Sequence, residues 1–323
     1  MSKSKNLASI SLDLDNQWAY MKTHGDAGWE SFPSYFDIFI PNILKILDEF
    51  DLKITFFIIG QDAVLDKNKD YLSAIPEHGH EIANHSFNHD TFIQLYSKQQ
   101  LENEINQAED AIINATGKKP VGFRAPGFSW GKDLFETLLK LNYEYDASTF
   151  PTFLGPLARK FYFASSNFTP EEKEQLKNLY GSVTEGFRPI NPYFFKVNSS
   201  KIREIPVSTF PVFKTPVHLS YLLYLAKYSE FLMFSYLKSA IVISKITNSE
   251  MSFLLHPTDI LGSDLIPQLS FFPGMEIKSS KKVEIFKKIL TILKSNFNLV
   301  TMNEHHKLTK KNTLLPLPAS KSN

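Results

Sequence analysis

Short apolar or alternating stretches recur along this chain, and amphipathic helical stretches separate most of them. "ASISLDLD" (8–15), "KITFFIIG" (53–60), "GHEIAN" (79–84), "VGFRAPG" (121–127), "YEYDAST" (143–149), "IREIPVST" (202–209), "EMSFLLH" (250–256) and "NLVTMN" (298–303) all read as strands. Such alternation argues for a parallel βα architecture, and about eight strands suggest a closed or nearly closed barrel. The first strand is the most informative. Ile10, Leu12 and Leu14 point to one side, and Ser9, Ser11, Asp13 and Asp15 to the other. Of the intervening helices, 97–116 is the clearest. Leu101, Ile105, Ala108 and Ile112 form its stripe, Ser97 suits the N-cap and Gly117 the stop. "NILKILDEF" (42–50) follows Pro41, which suits a first turn, and "KDLFETLLKL" (132–141) and "KKVEIFKKILTILK" (281–294) are further helices. "TPEEKEQLKNLY" (169–180) has Thr169 and Pro170 placed to start one more. We expect one barrel domain over 5–305, interrupted by an insertion at about 150–200, and a flexible tail over 306–323.

Composition narrows the chemistry. Hydrophobic residues make up 43% of the 323, enough for a large core. Lys plus Arg number 35 against 34 Asp plus Glu, so no charge excess points to nucleic acid. There is no cysteine, which excludes disulfides, thiolate metal sites and a Cys nucleophile. A metal here must be held by oxygen and imidazole nitrogen. Asp13 arrives too early for a signal-peptide core, and no stretch reaches the ~18 uncharged apolar residues of a membrane span. The expectation is a cytoplasmic protein.

The polar residues fall at strand ends. Asp13 and Asp15 end the first strand, His85 and His89 follow the third, Arg124 and Asp146 end the next two, and His256 ends a late one. In a parallel barrel these ends share one rim, where such folds place their active sites. One carboxylate and two imidazoles make a three-ligand face for a divalent cation, and a second carboxylate can take a proton from water. Asp13 and Asp15 lie on one strand face, ~7 Å apart at Cβ, so one can bind metal while the other stays free. Each piece also has an ordinary reading: surface histidines, an Arg paired with a surface acid, a capping Asp, or a DxD pair of the kind that holds the metal of a nucleotide sugar in glycosyltransferases. Five at separate strand ends weigh more than any one.

The stretches "SLDLDN", "NHSFNHD", "FRAPGFSW", "YEYDAST" and "LLHP", in that order, resemble the motifs of the polysaccharide deacetylase family (NodB homology, carbohydrate esterase family 4), over about three quarters of the chain. The resemblance implies a distorted (β/α) barrel and a metal-dependent N-deacetylase of amino sugars. It further implies Asp13 as the base and Asp15, His85 and His89 as metal ligands. Arg124 would orient the base, the Gly127 backbone N–H would bind the oxyanion, and His256 would be the acid, tuned by Asp146. Many members have adjacent acids where Leu14 stands between them here, and a tryptophan after the fourth-motif acid where this chain has "DAS". One divalent cation is expected, with zinc best suited to the donor set. The expected substrate is an N-acylated amino sugar or glycan. Alternatives are deformylation of a lipid-linked amino sugar, hydrolysis of a cyclic amide, or a non-catalytic sugar-binding barrel. The stretch 217–246 projects Ser220, Lys227, Glu230, Lys238 and Lys245 into one narrow sector of an otherwise apolar helical surface. It reads as one or two barrel helices with a thick buried face, or as a peripheral contact with the inner membrane face.

Overall fold

The computed structural model describes residues 5–157 and 183–317. The expected helix at 169–180 and most of the expected insertion lie outside them. Among the described residues ten strands form one sheet. They are β1 (Asn6–Asp13), β2 (Thr55–Ile58), β3 (Glu81–Asn84), β4 (Gly122–Phe123), β5 (Tyr145–Asp146), β6 (Tyr193–Val197), β7 (Ser200–Glu204), β8 (Met251–Leu255), β9 (Phe297–Val300) and β10 (Leu314–Pro316). The order is β10-β6-β7-β5-β4-β3-β2-β1-β8, and β9 pairs with the first half of β1. All pairings are parallel except that between β6 and β7. The C-terminal ends of β1, β3, β4, β5 and β8 therefore share one rim, as the alternation of strands and helices predicts.

Among the described residues no hydrogen-bonded ladder closes the barrel. Beyond β7 the chain passes Pro206, which has no N–H to donate, and meets β8 through the Ser208 N–H on the Ser252 carbonyl (3.0 Å). The Ser252 N–H in turn reaches Ser208 Oγ (2.7 Å). The two-sided pattern of β1 explains the architecture. Ile10, Leu12 and Leu14 join the main core with Phe39, Ile43 and Leu47 from the helix Phe36–Glu49, and with Ile285, Phe286 and Ile289 from the helix Ser279–Asn296. Ser9, Ser11 and Asp13, on the other face, are buried too, because they point into the barrel.

The helix Lys98–Thr116 forms as expected. Ser97 and Gln100 make a reciprocal capping box, and Gly117 closes the helix at φ 68°. Pro41, expected in a first turn, instead lies inside the helix Phe36–Glu49, because the apolar stripe already begins at Phe36. The expected tail is corrected as far as residue 317. The helix Met302–Leu308 plugs the bottom of the barrel, with His305 between Ser9 (2.9 Å) and Glu250 (3.1 Å), and β10 then pairs with β6. β6 and β10 are strands that the sequence pattern did not reveal. The stretch 217–246 folds as two helices, Leu219–Ala226 and Glu230–Ile246.

Gly60 begins the short helix Gly60–Ala63 where it crosses the helix Lys98–Thr116, and a Cβ there would meet Ala108 Cα at 2.7 Å and Phe87 at 2.6 Å. Gly60→Ala should destabilise the protein by ~1–3 kcal/mol through overpacking against backbone. An unchanged urea midpoint would show that the crossing is looser than it looks.

Candidate active site

Asp15, His85 and His89 come together at the rim, all three buried, with ligand-capable atoms within 4.8 Å of one another. Asp15 Oδ1 lies 3.4 Å from His85 Nε2 and 3.1 Å from His89 Nε2. Burial alone would raise the Asp15 pKa, but the two imidazoles more than offset it and hold the carboxyl well below the usual range. The loop carrying the histidines is clamped. His85 Nδ1 bonds the Arg124 carbonyl (2.7 Å), which aims Nε2 at Asp15. Glu104, on the buried face of the helix Lys98–Thr116, accepts from the N–H groups of Phe87 (2.9 Å) and Asn88 (2.6 Å). Ser86 and His89 take left-handed backbone conformations, at φ 65° and 55°, which Asn84 Oδ1 on the Ser86 N–H (2.8 Å) and Ser86 Oγ on the His89 N–H (3.2 Å) support.

The donor set fits a divalent cation. Asp15 Oδ1 is buried with no hydrogen-bond donor upon it. Donors 2.0–2.1 Å from one tetrahedral ion sit ~3.3 Å apart, close to the two Asp15–imidazole separations.

Asp13 goes elsewhere. Its Oδ1 accepts from Arg124 Nη1 at 2.5 Å, and its Oδ2 is 3.9 Å from His256 Nε2. Arg124 is fully buried. It also donates to Ser11 Oγ (3.0 Å) and the Ala147 carbonyl (3.0 Å), and its guanidinium lies 4.2 Å from the centre of the Phe57 ring. The Gly127 turn follows directly on β4, with Gly127 at φ 60°.

Asp146 is not brought to His256, and no ion pair links the two among the described residues. Its carboxylate accepts from Ser148 N–H and Oγ (both 2.8 Å), and Ser148 Oγ accepts from the Ala125 N–H (2.8 Å). Asp146 thus steadies the turn that carries Arg124 and Gly127. The partner of His256 is Asp259, on the turn after it, whose Oδ2 accepts from the His256 N–H (2.8 Å) and lies 3.8 Å from Nδ1. Ser220 Oγ is 3.3 Å from the same nitrogen. Burial works against a charged His256, but Asp259, with Asp13 and Asp15 behind it, raises its pKa to about 9. The signal for Asp259 was available, since it sits three residues after His256 across a proline, the spacing of a capping box.

Asp62 also went unread. Its Oδ1 accepts from Asn16 (2.7 Å), Trp18 (3.0 Å) and Asn68 (3.1 Å), fixing the segment after Asp15. Burial pushes Asp62 up to about 7 against those donors. Glu104, buried beside Ile105 of the apolar stripe, is a further residue that the sequence reading did not single out.

Residues 26–145 match the family model described as Polysaccharide deacetylase. A peptidoglycan deacetylase of Helicobacter pylori is 30% identical over 149 residues, 46% of this chain and 50% of the relative. A peptidoglycan deacetylase-like protein of Gibberella zeae is 36% identical over 131 residues, 40% of this chain and 36% of the relative. The matched region thus spans half or less of these relatives. A solved Mycobacterium smegmatis protein, assigned to the polysaccharide deacetylases, shares the fold at a TM-score of 0.59 and 17% identity, over 100% of this chain and 96% of its own. Fold and rim define the class, a βα barrel of the deacetylase type. Over residues 26–145 the chain is similar to the polysaccharide deacetylase family.

A His256 pKa above its ordinary value has a fixed sign. The charged ring stabilises the fold fully below about pH 6.5, and that contribution fades as pH rises through about 9. Asp259→Asn should bring the titration of His256, followed by imidazole NMR, down towards 6.5. A midpoint near 9 in the variant would mean that Asp259 is not its source.

Proposed function

We propose that this protein is a metal-dependent hydrolase that removes the N-acetyl group from an amino sugar in a polysaccharide or lipid-linked glycan. The observation that carries this reading is the division of labour between two carboxylates two residues apart. Asp15 faces a pair of imidazoles, while Asp13 lies between a buried guanidinium and a protonated imidazole. A nucleotide-sugar transferase would leave the histidines and Arg124 without employment. A non-catalytic barrel would have no need of Asp13 and His256 as a matched base and acid.

Asp15, His85 and His89 would hold the cation, with zinc best matched to two imidazoles and a carboxylate. A cation bound there supplies Lewis acidity, polarising the amide carbonyl and acidifying water. The chain's own residues do the rest. Asp13, paired with Arg124 and aimed by it, accepts a proton from the attacking water as its oxygen bonds to the carbonyl carbon. The Gly127 N–H donates to the oxygen that becomes negative. His256, charged at neutral pH, gives its proton to the nitrogen as the C–N bond breaks, releasing acetate and a free amine. Asp259 and Ser220 hold that ring in place.

Elemental analysis of protein purified without chelator should find one divalent ion, lost in Asp15→Ala, His85→Ala and His89→Ala. Asp13→Asn should keep the ion yet lose ~10²–10⁴-fold in acetate release from a panel of N-acetyl sugars. The roles are reversed if Asp13→Asn empties the site and Asp15→Asn does not.

The outer face of the helix Glu230–Ile246 supports a lipid-linked form of the substrate. Phe231 is 83% exposed and Ile246 74%, with Leu232 and Val242 about half exposed and Lys238 and Lys245 among them. No described helix is long and apolar enough to cross a membrane, so the contact would be peripheral, on a cytoplasmic leaflet. Wild type should cosediment with anionic liposomes, and Phe231→Glu/Ile246→Glu should not. Equal recovery of both in the supernatant would remove the membrane from the reading.

A further inference from the structure

One buried imidazole beside the site has no part in the chemistry above. After Ser208 meets β8, residues 209–216 loop out, pinned by the Thr209–Pro216 bridge, and the Val217 N–H returns to the Ser208 carbonyl (3.0 Å). His218 follows, in extended backbone (φ −139°, ψ 167°), at the start of the helix Leu219–Ala226. Ser220, two residues on, is the hydroxyl that reaches His256. The same helix start therefore presents His218 on the side of the acid–base pair.

The His218 ring belongs to a wall of rings leading away from the Gly127 turn. Phe128 packs on Phe150 (centroids 5.2 Å apart), Phe150 meets His218 edge-on (5.7 Å, 70°), and Tyr221 follows (6.4 Å). His218 Nδ1 is buried with no hydrogen-bond partner, and the residue is half-buried overall, which leaves Nε2 at the accessible edge. With no acceptor at Nδ1, the ring proton belongs on Nε2, which makes that edge a donor. Burial pushes the His218 pKa down to about 4, with His256, Asp259 and Asp13 as its titratable surroundings. Two imidazoles at one rim are thus driven apart, one charged and one neutral. A neutral donor backed by aromatic rings suits an uncharged sugar oxygen. An anionic group would instead call for an imidazolium.

We propose that His218 is a substrate-binding residue, donating from Nε2 to an uncharged hydroxyl or ring oxygen of the amino sugar whose apolar face lies along Phe150. This rests on the deacetylase reading and adds to it the residue that reads the sugar. The test uses zinc-loaded full-length protein and N,N′,N″-triacetylchitotriose. His218→Phe, which keeps the ring packing and removes the donor, should raise KM ~10-fold or more with kcat within about threefold. His218→Gln, which restores a donor, should recover most of that loss. In wild type the His218 imidazole signals, assigned by their absence from His218→Gln, should shift on adding the chitotriose. An unchanged KM in His218→Phe, or a loss in kcat alone, overturns the proposal. If wild type releases no acetate, the deacetylase reading fails by itself, and the imidazole shift decides His218: a shift upholds it and silence overturns it.

Discussion

The rim depends on the burial of one guanidinium. Arg124 reaches five groups from four parts of the chain: Asp13 and Ser11 on β1, the Ala147 carbonyl after β5, the face of Phe57 on β2 and Met302 Sδ at the start of the closing helix. Its backbone joins in, with its N–H on the Asn84 carbonyl (3.0 Å) and its carbonyl on His85 Nδ1. A buried cation is tolerable only when its donors are satisfied and a counter-charge is at hand. Asp13 supplies that charge. The same ion pair that makes Arg124 possible inside the barrel keeps Asp13 an oriented acceptor, and the Arg124 carbonyl sets the tautomer of a candidate metal ligand. Base, ligand pair and barrel interior are in this sense one structural problem with one solution.

The other buried acids are set apart by their neighbours. Asp15 is held below the usual carboxylate range because two imidazoles face it. Asp62 has neutral donors only, and burial lifts it to about 7. Glu204 is driven up by burial and by Asp146, while Thr149 donates to its Oε1 through N–H (2.9 Å) and Oγ1 (2.6 Å). These buried carboxyls thus differ by what surrounds them rather than by residue type.

Local patterns carried far along the chain. The capping box at Ser97, the stop at Gly117 and the two-sided pattern of β1 are short-range effects, so they could be read directly. So could the strand-end positions of Asp13, Asp15, His85, His89, Arg124 and His256, because a parallel sheet brings those ends to one rim. What could not be read was contact between residues distant in sequence. β6 and β10 exist because each satisfies the backbone groups of a neighbour more than a hundred residues away along the chain, or across a turn, and neither announces itself by periodicity. Asp146 sits at a strand end like the others, yet its side chain finds Ser148 two residues away, while His256 finds Asp259.

The sequence by itself determined the order of most strands and helices, the inward polar face of β1 and the set of side chains at the rim, since these follow from periodicity and chain direction. Only the tertiary structure decided which carboxylate meets which cation, that the described ladder stays open at Pro206, that the helix Met302–Leu308 closes the bottom of the barrel, and that His218 stands on the side of His256. Those outcomes turn on distances between segments far apart in the chain. Desolvation and hydrogen-bond geometry change there over a few ångströms, a scale on which a one-dimensional pattern carries no information.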